Sequence, residues 1–225
     1  MTNRTLVHVI VPTLNRPGML ARALASIRAQ TYPQEQVEVL VVNDGGEDVR
    51  QLCELFGGVY IRMQVNRGLP AARNMGIRCV HGGLMAYLDD DDVWLPGHLD
   101  TLVRARESTS CRLVYSNSYY WFEERTFDVA LNTDYSREAI REHNLTPCCS
   151  ILHDWDLFGE VGLFDESLPN HEDWDMWLRM SRATDFYHVR EVTALYSKRK
   201  GSDQISMNME FMALKKREMQ EKYRN

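Results

Sequence analysis

The sequence LMAYLDDDDVWLP (residues 84–96) joins a short apolar run to four consecutive aspartates, Asp89 to Asp92. The apolar run has the length and composition of a buried β-strand. Carboxylates this close repel one another, and gathering them at a strand end does little for folding. A hard divalent cation relieves the repulsion, because Mg²⁺ and Mn²⁺ prefer oxygen ligands. The alternative is a solvated turn that caps the helix predicted to begin near Pro96.

Apolar runs of strand length alternate with helical patterns through the first part of the chain. The predicted strands are residues 7–11, 37–42, 60–65 and 84–88, and the predicted helices are residues 19–30 (opened by Pro17), 49–56 and 70–80. Near-continuous apolar strands joined by helices are typical of a mostly parallel sheet covered on both faces. Ligands bind such sheets outside the carboxyl ends of the strands. The polar segments at those ends are residues 13–16, 43–44, 66–67 and 89–92.

The second half of the chain is less regular. Its predicted helices are residues 95–106, 137–143, 154–159 and 172–183, and its predicted strands are residues 113–122, 150–153 and 186–196. Residues 207–223 are predicted to form a helical tail. Because no repeat, low-complexity segment or long linker marks a second domain, we predict one α/β domain, residues 1–205, and a C-terminal helical tail, residues 206–225.

Composition narrows the class of protein. The 225 residues are 44% hydrophobic and 26% charged, which excludes disordered and fibrous classes. A net charge of −6 argues against nucleic-acid binding through overall charge. No apolar run is long enough to span a membrane, and five cysteines without a CxxC pattern favour a reducing compartment. We therefore predict a cytoplasmic protein, with packing of the tail on the domain favoured over a peripheral membrane contact.

Two further segments carry groups suited to a nucleotide. In VVNDGG (residues 41–46), Asp44 could accept hydrogen bonds from a base N–H or a ribose hydroxyl, and the glycines let a ligand approach the backbone. In NRGLPAARN (residues 66–74), Arg67 and Arg73 could reach a phosphate. The alternative for these arginines is an ion pair with the acidic run.

These segments, in this order, resemble the inverting glycosyltransferases of family 2. The resemblance rests on VPTLNRP, VVNDGG, NRGLPAARN, YLDDDDVWLP and the later HEDWDMWLR (residues 171–179), and it covers residues 5–205. It implies a GT-A fold, with a mostly parallel, Rossmann-like central sheet flanked by helices. The nucleotide-binding part would be about residues 1–118 and the smaller acceptor part about residues 119–205.

The resemblance also implies substrates and a cofactor. The donor would be a nucleoside diphosphate sugar, with UDP the commonest nucleotide in the family. The acceptor would be a hydroxyl of a carbohydrate or lipid-linked glycan, as in polysaccharide biosynthesis. Mn²⁺ or Mg²⁺ would stabilise the departing diphosphate, and one carboxylate on the opposite face would take the acceptor proton and give inversion.

Site residues follow from the resemblance position by position. Asp91 and Asp89 would hold the metal, although Asp92 leaves the register open by one residue. Asp173 would be the catalytic base, with Glu172 orienting the acceptor or taking that role. The alternative for both acids is a favourable interaction with the dipole of their helix.

The remaining candidates would contact the nucleotide, the diphosphate or the sugar. Those for the nucleotide are Pro12, Thr13, Asn15, Arg16, Asp44, Asn66, Arg67, Arg73, Asp89 and Asp90. Those for the diphosphate are Lys198, Arg199 and Ser202, in a segment where the family more often has a histidine. Trp94 or Trp174 would lie near the sugar.

Two other functions stay open at this point. One is a Mg²⁺-dependent phosphotransferase or nucleotidyltransferase; no Walker A or GxGxxG pattern supports it, and the acidic run follows the fourth strand rather than the first. The other is a non-catalytic nucleotide-sugar-binding module, against which the intact Glu172–Asp173 pair argues.

Overall fold

A computed structural model describes residues 5–122, 125–130, 133–198 and 221–223. Its strands are β1 (Val7–Thr13), β2 (Val37–Asn43), β3 (Val59–Arg62), β4 (Leu84–Tyr87), β5 (Val93–Trp94), β6 (Leu113–Phe122), β7 (Arg125–Ala130), β8 (Ile151–Asp154) and β9 (Phe186–Ser197). Its helices are α1 (Pro17–Arg28), α2 (Arg50–Leu55), α3 (Leu69–Arg78), α4 (His98–Glu107), α5 (Arg137–Glu142), α6 (Leu157–Val161) and α7 (Glu172–Met180), with 3₁₀ turns at Gln34–Gln36 and Cys148–Ser150.

Within the described residues the nine strands form one sheet in the order β3-β2-β1-β4-β8-β6-β9-β5, with β7 on β6. The first four strands are parallel, as the alternation of strands and helices predicts. β8 runs antiparallel to β4 and to β6, and β9 pairs parallel with β6. Parallel pairing brings the carboxyl ends of β1, β2 and β4 to one edge of the sheet.

Both faces of the sheet are covered. Alternate residues of β1 enter opposite apolar clusters: Val9 and Val11 pack with α1 residues such as Leu24, whereas Ile10 packs with Met85 and residues of α3 and α7. Because each face of β1 is buried, the strand reads as a continuous apolar run rather than an alternating one. The central strands therefore form a buried support for the loops at their carboxyl ends.

The structure differs from the predicted elements in places that depend on distant partners. β5 is only two residues long and pairs with Leu195 and Ala194 of β9, far away in sequence. It takes up the residues before Pro96, so α4 begins at His98 rather than Leu95. β7 was not predicted, and α7 ends at Met180 rather than Ala183.

Most of the predicted helical tail lies outside the described residues. At its described end, Lys222 Nζ lies 2.7 Å and the Tyr223 hydroxyl 2.6 Å from Asp175 Oδ1 on α7. This contact agrees with a tail that packs on the domain. Among the described residues, no helix combines the length and the apolar character that crossing a bilayer requires.

Candidate active site

The four aspartates form a turn directly after β4, closed by a hydrogen bond from the Asp92 amide to the Asp89 carbonyl. Their carboxylates do not point to one place. Asp90 and Asp92 turn into the protein, whereas Asp89 and Asp91 lie nearer the surface. Protein groups therefore relieve part of the repulsion that the sequence pattern implies.

Asp90 is enclosed by the loop that follows β1. Its Oδ2 accepts a hydrogen bond from Thr13 Oγ1 at 2.7 Å, and Arg16 Nη2 lies 2.9 Å from its Oδ1. Burial raises the pKa of Asp90 to about 7, although Arg16 and Thr13 pull it down. The predicted contact of Asp90 with the nucleotide would require this buried side chain to turn outwards.

Asp92 is tied to the far end of the chain. It is buried and accepts the backbone N–H of Ser197 at 2.8 Å. Burial raises its pKa well above the usual range, and the neighbouring Asp91 and Asp89 add to that effect. This inward position favours Asp89 and Asp91 over Asp92 as ligands, which addresses the ambiguity of register in the sequence.

The two outer carboxylates each contact an arginine. Asp91 Oδ2 lies 3.2 Å from Arg16 Nη1, and both oxygens of Asp89 accept from Arg73 Nη2 at 2.8 and 3.0 Å. In the described part of the chain, no group of three or more His, Cys, Asp or Glu side chains is arranged to hold a metal by itself. The donor chemistry still fits Mg²⁺ or Mn²⁺, which often take one or two carboxylates and complete their shell with water and substrate phosphates.

The loops after β1, β2 and β3 meet as predicted. Asp44 accepts the backbone N–H groups of Arg67 and Gly68, both at 2.8 Å, and thereby braces the loop before α3. Asn15 Oδ1 accepts the N–H of Glu47. Gly45 has φ +81°, and a Cβ there would lie 2.6 Å from the Asn66 amide nitrogen. Only glycine fits this close approach of two loops.

The other nucleotide candidates in these loops are differently placed. Pro12 is buried in β1, where it pairs with Val42. Asn66 and Arg67 are exposed, and Arg67 Nη2 lies 2.9 Å from Glu166 Oε2. The segments that the strand ends predict are thus together, but only some of their side chains face solvent.

Arg73, predicted to reach a phosphate, is buried and bound to two carboxylates. Its side chain is 1% exposed and bridges Glu172 Oε1, at 2.6 Å, and Asp89. Burial alone would lower the pKa of the guanidinium, but attraction to Asp89, Glu172 and Asp173 raises it well above the usual value. Arg73 thus makes the ion pair with the acidic run that was the alternative to a phosphate contact, and its buried guanidinium is already engaged by two carboxylates.

Glu172 and Asp173 open α7, after His171 in a left-handed conformation. Glu172 is buried against Arg73. Asp173 is less buried; its Oδ1 accepts the N–H of Trp174 at 2.7 Å and its Oδ2 accepts Asn144 Nδ2 at 2.9 Å. Burial raises the pKa of both carboxyls. A carboxylate with a raised pKa is a better proton acceptor, which suits a general base.

Both tryptophans proposed to lie near the sugar are core residues. Trp94 is buried, stacks on His98 and donates its indole N–H to the Cys149 carbonyl at 2.7 Å. Trp174 is also buried and donates to the Ile140 carbonyl. Neither ring offers an open face, so the predicted sugar contact is not supported.

The basic segment after β9 is described only at its first residue. Lys198 Nζ lies 4.9 Å from the ring centre of Tyr196, and burial lowers its pKa. Arg199 and Ser202 lie outside the described residues. No sequence pattern indicated Asn144, because it lies in a loop and approaches Asp173 only through the fold.

Cavity size does not locate this site. A cavity of about 840 Å³ lies between α4 and the first half of β9, and no predicted site residue lines it. The candidate site is instead an open edge, where the acidic turn, Arg73 and the start of α7 come together.

A sequence model described as Glycosyl transferase family 2 matches residues 8–155. The chain belongs to glycosyltransferase family 2. It is 30% identical over 200 residues to the uncharacterized glycosyltransferase RP339 of Rickettsia prowazekii (strain Madrid E), covering 83% of this chain and 62% of that protein. It is 27% identical to the putative colanic acid biosynthesis glycosyl transferase WcaA of Escherichia coli (strain K12), covering 92% of this chain and 77% of WcaA.

The family 2 chain also resembles solved structures of S. aureus TarS. The crystal structure of TarS 1–349 in complex with UDP-GlcNAc matches with a TM-score of 0.73 and 19% identity, over 88% of this chain and 60% of that one. At this identity the match shows the fold, and it confirms the predicted GT-A class. The chain spans under two thirds of several of the relatives it matches. Membership of the family favours sugar transfer over the phosphotransferase alternative.

Proposed function

We propose that this chain transfers a sugar from a UDP-sugar to an acceptor hydroxyl with inversion at the anomeric carbon. The observation that carries the proposal is the continuous contact from Asp89 through Arg73 to Glu172. It joins the acidic turn, suited to a metal and a diphosphate, to the carboxylate pair suited to proton transfer. The crystal structures of TarS 1–349 in complex with UDP and with UDP-GlcNAc support a uridine nucleotide as the donor.

Asp173 is the base in this proposal. Glu172 is buried in its ion pair with Arg73, whereas Asp173 is more open and its pKa is raised by burial. A hydroxyl becomes an effective nucleophile when such a carboxylate takes its proton. Attack from the face opposite the leaving diphosphate inverts the anomeric carbon. A single base suffices, in contrast to the carboxylate pair of glycosidases.

Asp91 and Asp89 would hold the divalent cation at the rim of the acidic turn. When bound, Mn²⁺ or Mg²⁺ would neutralise the charge that develops on the diphosphate. Arg16, whose side chain is 36% exposed, already lies beside Asp90 and Asp91 and would donate to a phosphate oxygen. Asp44 would act mainly by fixing the loop that precedes α3.

The acceptor in this proposal is a carbohydrate or a lipid-linked glycan used in polysaccharide synthesis. The name of the WcaA relative, which refers to colanic acid biosynthesis, supports that class. We propose that the reaction takes place in the cytoplasm, with lipid-linked acceptors met at the inner face of the membrane. The net charge of −6 agrees with a partner other than nucleic acid.

Calorimetric titration with UDP, GDP and dTDP, each with and without Mn²⁺, tests the donor and the cofactor. We expect UDP to bind and its affinity to fall when the metal is chelated. Transfer is then measured with UDP-GlcNAc, UDP-glucose and UDP-galactose as donors and short glycans as acceptors. The anomeric configuration of the product, read by NMR, tests inversion.

Two variants test the residues. Asp173→Asn should lower transfer at least about a hundredfold while UDP binding is kept, since it removes only the proton acceptor. Asp91→Asn should weaken metal-dependent UDP binding. The exposed Asp185→Asn serves as the control. Full transfer by Asp173→Asn would exclude it as the base, and UDP binding without transfer across the donors would favour the binding-module alternative.

A further inference from the structure

Asn144 lies in the loop between α5 and the 3₁₀ turn at Cys148–Ser150, and its Nδ2 is 2.9 Å from Asp173 Oδ2. We propose that Asn144 is a positioning residue for Asp173, fixing the orientation of its carboxylate through this donated hydrogen bond. The inference rests on the proposed function, in which Asp173 is the base.

Two donors hold the Asp173 carboxylate, one on each oxygen. The N–H of Trp174 reaches Oδ1 at 2.7 Å, and the Asn144 amide reaches Oδ2. The first donor is backbone at the start of α7, so it is present with any side chain there. The second depends on Asn144 alone. With one donor on each oxygen the carboxylate plane is fixed, while each oxygen keeps a second acceptor site for a proton.

The other end of the Asn144 amide indicates a role beyond stability. The Asn144 Oδ1 atom is buried and accepts no hydrogen bond from any of the described residues. A buried polar atom without a partner is costly, and native structures keep few of them. An amide placed in this way contributes less to folding than a satisfied one would. What it does supply is one donor aimed at the proposed base.

Asn144 also stabilises the ionised form of Asp173 relative to the protonated form. An N–H donor stabilises the ionised carboxylate. Burial raises the pKa of Asp173, and Arg73, the Trp174 amide and Asn144 counter that rise. The other titratable groups facing it are Glu172, Asp89, Cys148 and Tyr196. Without Asn144 the balance moves toward the protonated form, which cannot act as a base.

The test compares the wild type with two variants. Asn144→Ala removes the N–H donor, and the isosteric Asn144→Asp replaces the donor with a carboxylate of the same charge as Asp173. The neighbouring His143→Ala is the control, because no described contact joins it to Asp173. The probe is UDP release from UDP-GlcNAc with Mn²⁺ between pH 5 and 9. UDP binding and thermal melting of each variant are measured in parallel.

We expect the acid limb of the kcat profile to move to higher pH by about one unit in Asn144→Ala and further in Asn144→Asp, with UDP affinity unchanged. A shift of one unit corresponds to about tenfold in the ionisation constant. A role in packing alone would lower kcat at every pH without moving the limb, and that result would overturn the inference.

A second readout keeps the test independent of turnover. The carboxyl carbon of Asp173, assigned by comparison with Asp173→Asn, is titrated by NMR in the wild type and in Asn144→Ala. A higher midpoint in the variant supports the inference, and an unchanged midpoint overturns it. If the wild type releases no UDP and transfers no sugar, the proposed function fails. If the wild type is active but the pH profile of kcat is the same in Asn144→Ala, only the role of Asn144 is excluded.

Discussion

At the scale of single residues, Arg73 shows what a residue type alone leaves open. A guanidinium fits a phosphate and a carboxylate equally well. The sequence could therefore name Arg73 as a functional candidate without selecting its partner. Its place on the inner side of α3 decides the matter, because there it meets Asp89 and Glu172 out of contact with solvent.

The Asp89 and Glu172 carboxylates should depend on the buried Arg73 guanidinium to balance their charge. Arg73→Met leaves the Asp89 and Glu172 carboxylates without their partner, and breaking a buried ion pair in this way costs about 3–5 kcal/mol. We expect that loss in the free energy of unfolding, measured in urea at pH 7.

Arg67→Met is the matched control for that measurement. Arg67 pairs with Glu166 at 2.9 Å, but its side chain is 55% exposed. An exposed ion pair contributes about 0–1 kcal/mol. Equal losses in the two variants would contradict the assignment of Arg73 as the partner that the buried carboxylates need.

The tryptophans illustrate a different limit at this scale. The sequence places Trp174 beside the proposed base, and an aromatic ring there is consistent with sugar stacking. Its indole instead donates to the Ile140 carbonyl within the core. A residue next to a functional group in sequence points in another direction when both are on a helix, because successive side chains are about 100° apart.

At the scale of elements, the predicted strands and helices of the first half agree closely with the structure. Their signals are local: apolar runs, a proline at the first turn of α1 and α3, and glycines after strands and helices. β5 escaped prediction because its two residues become a strand only by pairing with β9. The length and composition of the β5 segment do not indicate a pairing partner so distant in sequence.

Helix α3 packs unusually close to the sheet at Gly76. A Cβ at this position would lie 2.8 Å from Ile10 Cδ1 and 3.2 Å from Val42 Cγ2. Overpacking of this kind costs about 1–3 kcal/mol. The better helix propensity of alanine returns up to about 1 kcal/mol. With that full return, we expect Gly76→Ala to lower the free energy of unfolding by about 0–2 kcal/mol in a urea titration.

Gly18 in α1 provides the control for Gly76. It is also helical, but an added Cβ there meets no atom within 4 Å. Gly18→Ala should leave stability unchanged or raise it by up to about 1 kcal/mol. If Gly76→Ala were as stable as Gly18→Ala, the close approach of α3 to β1 and β2 would be wrong.

At the scale of the whole molecule, two buried histidines should make a contribution to stability that is lost in acid. Burial lowers the pKa of His98 to about 3 and that of His153 to about 4, from an ordinary value of 6.5. Between those values the unfolded chain binds protons that the folded chain does not. The stability that these two rings contribute is therefore fully present above about pH 6.5 and is lost as the pH falls below it, by at most about 1.4 kcal/mol per pH unit for each histidine.

This prediction is checked by thermal melting between pH 7.5 and 4.5. His98→Asn removes one of the two titrations, so its melting temperature should fall less steeply with acid, even if the smaller side chain lowers it throughout. His81→Asn is the control, since His81 is exposed. A slope in His98→Asn equal to that of the wild type would contradict the burial of His98 as a neutral ring.

The sequence was most informative about which loops meet and least informative about how they are held. Parallel strands must end at one edge, so the positions of Thr13, Asp44 and Asp89 relative to one another follow from the order of elements. The contact of Asp92 with Ser197 joins the two halves of the fold, and the contact of Asp173 with Asn144 joins a loop to the start of α7, 29 residues away in sequence. Such contacts depend on the complete tertiary arrangement rather than on any local pattern.

The bond between Asp92 and Ser197 has a consequence for synthesis of the chain. The two residues are 105 positions apart, and ribosomes add about 5–20 residues per second. For about 5–20 s after Asp92 is made, the nascent polypeptide carries an acidic edge whose last strand does not yet exist. During that interval β1 to β4 can already assemble, but their carboxylates must stay hydrated. A translational pause before codon 197 would prolong this exposed state, in which chaperones and proteases compete with completion of the sheet.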